Sequence, residues 1–271
     1  MATAGLGALA GLTIFLGLPI ARLGRPGASR MAFLNAASVG VLLFIFYDVI
    51  KAAAAPIEAT ISDGATAQGI GYGVLLAMGM GVGLLGLVLF EKFFKRRSPR
   101  VGMDGPGAMA VAAAETHPGG LTGVSRIAFL IAVGIGFHNF SEGLAIGQSA
   151  HAGSYQLFGL LVIGFGLHNI TEGFGITAPL AGTRPSWRFL GLLGVIGGGP
   201  TLVGTLLGYS FTSLAVSVLF FGLAAGAILY VVGELQHVGR KIGRHDVAMV
   251  GLLCGFVAGL ATDILLGVAG A

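Results

Sequence analysis

The 271-residue chain carries a single cysteine, Cys254, set in an apolar run. One thiol excludes both a disulfide framework and a cysteine-built metal cage. Charge is nearly as scarce. Asp, Glu, Lys and Arg make up only 10% of the residues, far less than a soluble domain of this size needs to cover its surface. No His-Glu-Xaa-Xaa-His peptidase signature occurs, and no histidine-rich tract. Instead the chain is 55% hydrophobic, with 49 glycines that follow no collagen period and a mean hydropathy of +0.92. Abundant glycine in apolar helices permits close backbone packing in lipid. The composition therefore predicts an all-α polytopic membrane protein, organised as one transmembrane domain over 1–271.

A spanning helix needs roughly 20 mostly apolar residues. Eight stretches qualify: 3–21, 32–56, 68–91, 126–148, 154–180, 189–209, 212–236 and 247–270. The first lacks a basic leading segment and reads as a span, not a removed signal. One connection is long, the Gly-, Pro- and Ala-rich segment 95–120, which reads as a flexible loop. Basic residues fix the sidedness. Arg22, Arg25 and Arg30 flank the first loop; Lys92, Lys95, Arg96, Arg97, Arg100 and Arg126 flank the third. Arg184 and Arg188 lie in the fifth, and Arg240, Lys241 and Arg244 in the seventh, leaving only Lys51 of the 15 on the other side. The positive-inside rule then places odd loops in the cytoplasm and both termini outside, in the cell inner membrane. Basic residues so arranged are topology signals, so the pI near 9.5 does not predict nucleic-acid binding.

Two spans break the apolar pattern in the same way. GIGFHNFSEGLAIG runs from Gly134 to Gly147, and GFGLHNITEGFGI from Gly164 to Ile176. His138 and Glu142 are one turn apart on a helix and share a face, with Asn139 on its edge. His168, Asn169 and Glu172 repeat the arrangement on the next span, running the opposite way. At 1.5 Å per residue each motif lies roughly 18–20 Å from a span end, near the midplane. Ionisable groups there are costly and usually functional. Simple pairing of each histidine with its own glutamate is the bland reading, but two copies on adjacent spans argue against it. Two imidazoles, two carboxylates and two amides suit a divalent transition metal better than calcium or magnesium. Zinc leads, with iron, manganese, cobalt or cadmium behind it.

These motifs resemble those of the ZIP family of divalent metal-ion transporters, whose fourth span carries His-Asn-Xaa-Xaa-Glu-Gly and whose fifth carries His-Xaa-Xaa-Xaa-Glu. FGLAAGAILYVVGEL (Phe221 to Leu235) looks like the family's seventh span. The resemblance implies a 3+2+3 arrangement, with inverted three-helix repeats around spans four and five. It implies a primary site of His138, Glu142, His168 and Glu172, with Asn139 and Asn169 helping a second, adjacent one. It also implies transport toward the cytoplasm by moving a substrate-bearing bundle against a static one, with metal as cargo and no prosthetic group. Metal ions, the bilayer and a second copy of the chain are the partners expected. The chain departs from the family pattern in three places. Ser141 stands where proline is common, which should leave the fourth span straighter. Gly199 stands where a glutamate usually precedes Pro200, which favours one ion over two. His117 is the only histidine of the third loop.

Other polar positions invite secondary roles. Asp48 and Asp263, near the outer ends of spans two and eight, can form a cation-attracting entrance, or Asp48 can be neutralised by Lys51 three residues on. Glu234 and His237 share a face at the other end of span seven and can form an exit. Two rival functions remain: an intramembrane zinc hydrolase with a glutamate base, and a proton-coupled carrier of another solute using the same glutamates as relays.

Overall fold

The computed structural model describes residues 2–23, 27–97, 121–177, 180, 183–211 and 213–268. Arg25, Arg100, His117 and most of the expected flexible loop lie outside them. The described residues form no strand. The first span is segmented into α1 (Ala2–Leu12), α2 (Ile14–Gly17) and α3 (Ile20–Leu23); then come α4 (Ala28–Ser62), α5 (Thr66–Arg97), α6 (Leu121–His151), α7 (Tyr155–Thr177), α8 (Trp187–Ser210), α9 (Leu214–Ile242) and α10 (His245–Val268). Seven stretches, including 2–22 as one, are long and apolar enough to cross a membrane. α6, which carries the first motif, is an eighth long helix, of 31 residues.

The helices differ from the expected spans in two ways. The first span is not one helix. The Thr13 hydroxyl donates to Ala10 O at 2.7 Å, and Pro19 lacks the N–H that would bond one turn back, so the ladder is interrupted twice. Several helices also run past their apolar stretches. α4 covers 35 residues, about 52 Å at 1.5 Å per residue, and continues through Pro56 to a polar end at Ser62. Hydropathy marks where lipid ends; hydrogen bonding lets the helix go on. At Ser141, α6 runs on as one uninterrupted 31-residue helix.

The short α4–α5, α6–α7 and α8–α9 connections gather at the face where α1 begins and α10 ends, here the terminal face. The opposite face carries Arg22, Arg30, Arg184, Arg188, Arg240, Lys241 and Arg244 and is the basic face. Packing divides the helices in two. The first span, α6, α7 and α8 form one bundle, in which α6 and α8 make the most extensive crossing; α4, α5, α9 and α10 form the other, around the α4–α10 and α5–α9 pairs. One core cluster belongs to the first bundle alone, with Ile14, Leu18, Ile131, Ile135, Ile176 and Leu193 among its members. A larger cluster is shared. Its first-bundle members are Ala10, Ala145, Ile146, Ala150, Phe158, Leu161, Val162 and Phe165, and all of them lie on the terminal-face side of the motifs. The bundles are therefore sealed together by apolar contact in that half.

Candidate metal centre

α6 and α7 cross with their motifs facing each other. His138, Asn139, Glu142, His168, Asn169 and Glu172 are all buried, none more than 6% exposed. Donor atoms of His138, Glu142 and His168 lie within 4.8 Å of one another. Glu172 sits between the imidazoles. Its Oε1 is in close contact with His138 Nε2 across the helix pair and 2.9 Å from His168 Nε2 on its own helix. The latter approach is not aligned for a hydrogen bond, so His168 Nε2 has no hydrogen-bond partner. The bland pairing is thus half right: His168 does meet Glu172, but Glu142 leaves His138 alone.

Glu142 is the informative residue. Both of its carboxylate oxygens are buried without a hydrogen-bond partner, and so are Nδ1 of His138 and Nδ1 of His168. A buried carboxylate without partners costs several kcal/mol unless something cationic compensates it. Carboxylate oxygen beside two imidazoles is a ligand set that zinc and its neighbours accept. Glu142→Gln keeps the shape and removes the charge. It is expected to raise the melting temperature of the metal-free protein by about 2–4 °C and to abolish its stabilisation by zinc, as read by thermal unfolding with and without the ion.

The asparagines bracket this cluster. Asn139 Nδ2 donates to Glu172 Oε2 and to Gly197 O on α8, both at 3.0 Å. Asn169 Nδ2 donates to Ala10 O at 2.9 Å, a carbonyl just before the break in the first span. Each motif is thereby pinned to a neighbouring helix, and the Oδ1 atoms of both asparagines remain buried without partners, as does Thr201 Oγ1. Gly199 points elsewhere: a side chain there would meet nothing nearer than Val195 Cγ1 at 3.8 Å. Sequence reasoning missed Thr201, the two carbonyls, and Ser38, whose hydroxyl lies 2.7 Å from that of Thr171. No side-chain signal in the sequence marks either carbonyl.

The secondary positions divide. Asp48 is buried, with Oδ2 unpartnered, and is an electrostatic neighbour of both Asp263 and Lys51. Lys51 makes no ion pair with it; its amine lies over the Tyr47 ring, 6.0 Å from the centroid. Local neutralisation therefore acts only through space. Glu234 and His237 are half-buried and stand outside the donor cluster, and His237 Nε2 has no hydrogen-bond partner.

An all-α, multi-pass fold that buries a histidine–glutamate cluster inside its helix bundle defines a membrane transporter for a divalent metal cation, the ion being cargo and not a resident cofactor. The family model described as ZIP Zinc transporter matches residues 112–258, more than half of the chain and both motifs. The chain belongs to this family. Its relatives include a zinc transporter ZupT of Salmonella paratyphi A (strain ATCC 9150 / SARB42), 28% identical over 266 residues that cover 95% of this chain and 94% of the relative. The corresponding protein of Enterobacter sp. (strain 638) is 29% identical over 267 residues, again 95% and 94%. That of Chlorobium chlorochromatii (strain CaD3) is 37% identical over 147 residues, 52% of this chain and 54% of the relative. Members of the family are transporters and not enzymes, which removes the hydrolase reading.

Proposed function

We propose that the protein imports zinc, and more weakly iron, manganese, cobalt or cadmium, across the inner membrane into the cytoplasm. His138, Glu142, His168 and Glu172 hold one ion, and Asn139 and Asn169 keep those ligands in place. The observation that carries this reading is the Glu142 carboxylate, buried without a hydrogen-bond partner beside two imidazoles. Zinc is the cargo named for the relatives above, and the nitrogen-rich ligand set favours it over magnesium or calcium.

Direction and cycle follow from the two faces. The basic face is cytoplasmic by the positive-inside rule, so both termini are outside. Apolar contact between the bundles in the terminal-face half supports a conformation closed to the outside, with the first bundle free to change its position against the second. The packing also supports two inverted three-helix repeats. Exchanging the first, second, third and fourth spans for the sixth, seventh, eighth and fifth turns the α4–α10 contact into the α9–α5 contact, and turns α4–α7 into α9–α6. A site at the interface of such repeats near the midplane is the general plan of alternating-access carriers. Asp48 and Asp263 attract cations at the outer mouth; Glu234 and His237 receive them on the cytoplasmic side.

The test is zinc uptake into proteoliposomes at fixed pH and voltage, with Fe²⁺, Mn²⁺, Co²⁺ and Cd²⁺ as competitors. All four are expected to compete, while Mg²⁺, Ca²⁺, Na⁺ and K⁺ are not. Zinc at 100 times its dissociation constant should also raise the melting temperature by ~5 °C or more, an effect sodium and potassium lack. Uptake indifferent to every transition metal would leave the proton-coupled carrier of another solute as the better account.

A further inference from the structure

Side-chain hydrogen bonds join the bundles at two described places, one at the depth of the metal centre and one nearer the terminal face. Ser38 of α4 meets Thr171 of α7 beside Glu172. The other lies at the terminal face, where α7 begins. There the Gln156 amide on the first bundle donates to Asp263 of α10 on the second, twice: to Oδ1 at 2.8 Å and to the backbone carbonyl at 3.3 Å. Both residues are half-buried. The acceptor carboxylate is an electrostatic neighbour of the buried Asp48, whose Oδ2 has no partner.

We propose that Gln156 is a positioning residue that latches the terminal-face gate, and that the arriving divalent cation releases the latch. The inference rests on the alternating-access reading above and adds to it a residue and a trigger. An amide has only its NH₂ to donate, and Gln156 spends it on a single residue of the opposing bundle. That bond is charge-assisted and therefore stronger than a neutral one. The same Oδ1 belongs to a carboxylate that is an electrostatic neighbour of Asp48, whose own Oδ2 is unpartnered. A divalent cation drawn between the two carboxylates competes with the amide for Asp263 and binds it more strongly than a neutral donor can. Once Gln156 is displaced, no side-chain hydrogen bond among the described residues holds α7 to α10 at this end. The cation that needs the gate open is thus the one that unfastens it. Departure of the cation toward the centre returns Asp263 to Gln156, and the gate closes behind the ion.

The reporter is Val162, a member of the shared apolar cluster on the terminal-face half of α7. Val162→Cys in a Cys254→Ser background gives one thiol that maleimide reaches only when the bundles part there. Labelling rates are compared for Gln156, Gln156→Leu, which keeps the bulk and loses both donors, and Gln156→Glu, which sets a carboxylate against Asp263. Zinc is present or absent, and the thermal midpoint of each variant is recorded. With Gln156, zinc is expected to accelerate labelling. With leucine, labelling without zinc is about tenfold faster and zinc adds little; with glutamate it is faster still. A purely structural role for Gln156 would move the midpoint and leave the zinc response intact. Zinc-responsive labelling that is the same in all three proteins overturns the latch while leaving alternating access standing. No labelling in any of them, with zinc uptake continuing, overturns both.

Discussion

Replacing His138 and Glu172 together by alanine is expected to reduce zinc flux in proteoliposomes by more than about 100-fold while the protein remains folded. Glu172 is the hub of the centre. It contacts His138 from the facing helix, approaches His168 from its own, and accepts from Asn139. Removing it with His138 leaves one histidine and one glutamate of the four proposed ligands, too few to hold a transition metal against water. Folding should survive because the crossing does not depend on these groups. Apolar residues close the first bundle on the basic-face side, the shared cluster closes the other half, and two buried polar groups are lost together, which costs less than orphaning one. The measurements are zinc flux, a monodisperse elution profile and a cooperative metal-free melting transition, lowered by the cavity and by the Asn139 donor left without Glu172. Flux at the wild-type rate would show that the ion passes elsewhere.

How much of this was legible beforehand depended on the kind of signal. The His-Asn-Xaa-Xaa-Glu-Gly pair could be read directly, because ionisable side chains in an apolar run are conspicuous and their spacing fixes a helical face. The face shared by His138 and Glu142, the uninterrupted fourth span at Ser141, and the number of long helices all followed from local rules. Partner choice did not. Glu172 takes both histidines and Glu142 takes neither, since contacts between α6 and α7 depend on how the helices cross. The carbonyls of Ala10 and Gly197, which hold the asparagines, carry no side-chain signature at all. Nothing in the sequence sets Gln156 apart. Its bond to Asp263 is visible only once α10 is placed beside α7. Helix length was not legible for a different reason: α4 is held by its own ladder beyond the apolar stretch that hydropathy detects.

Gly204→Val on α8 is expected to abolish folded protein, whereas Gly199→Ala, five residues earlier on the same helix, is expected to be nearly neutral. A Cβ at Gly204 would drive into Phe140 O and lie 3.0 Å from Leu144 N and 3.1 Å from Gly143 C. All three obstacles are backbone atoms of α6 and cannot turn aside as a side chain can. The facing position behaves alike: a Cβ at Gly143 would drive into Thr201 O and lie 2.9 Å from Thr205 N. The two helices touch through their backbones here, the close approach that small residues allow in membranes. Overfilling a side-chain core typically costs 1–3 kcal/mol, and forcing apart two backbones should exceed about 3 kcal/mol. The same separation would lengthen the 3.0 Å bond from Asn139 to Gly197 O, so any folded Gly204→Val protein should also lose its thermal stabilisation by zinc. At Gly199 an added methyl meets only Val195 Cγ1, at 3.8 Å, an ordinary contact. Comparing detergent-extracted, monodisperse yield and zinc-dependent melting for the two variants separates a glycine required by the crossing from one that only marks where the family's glutamate is missing.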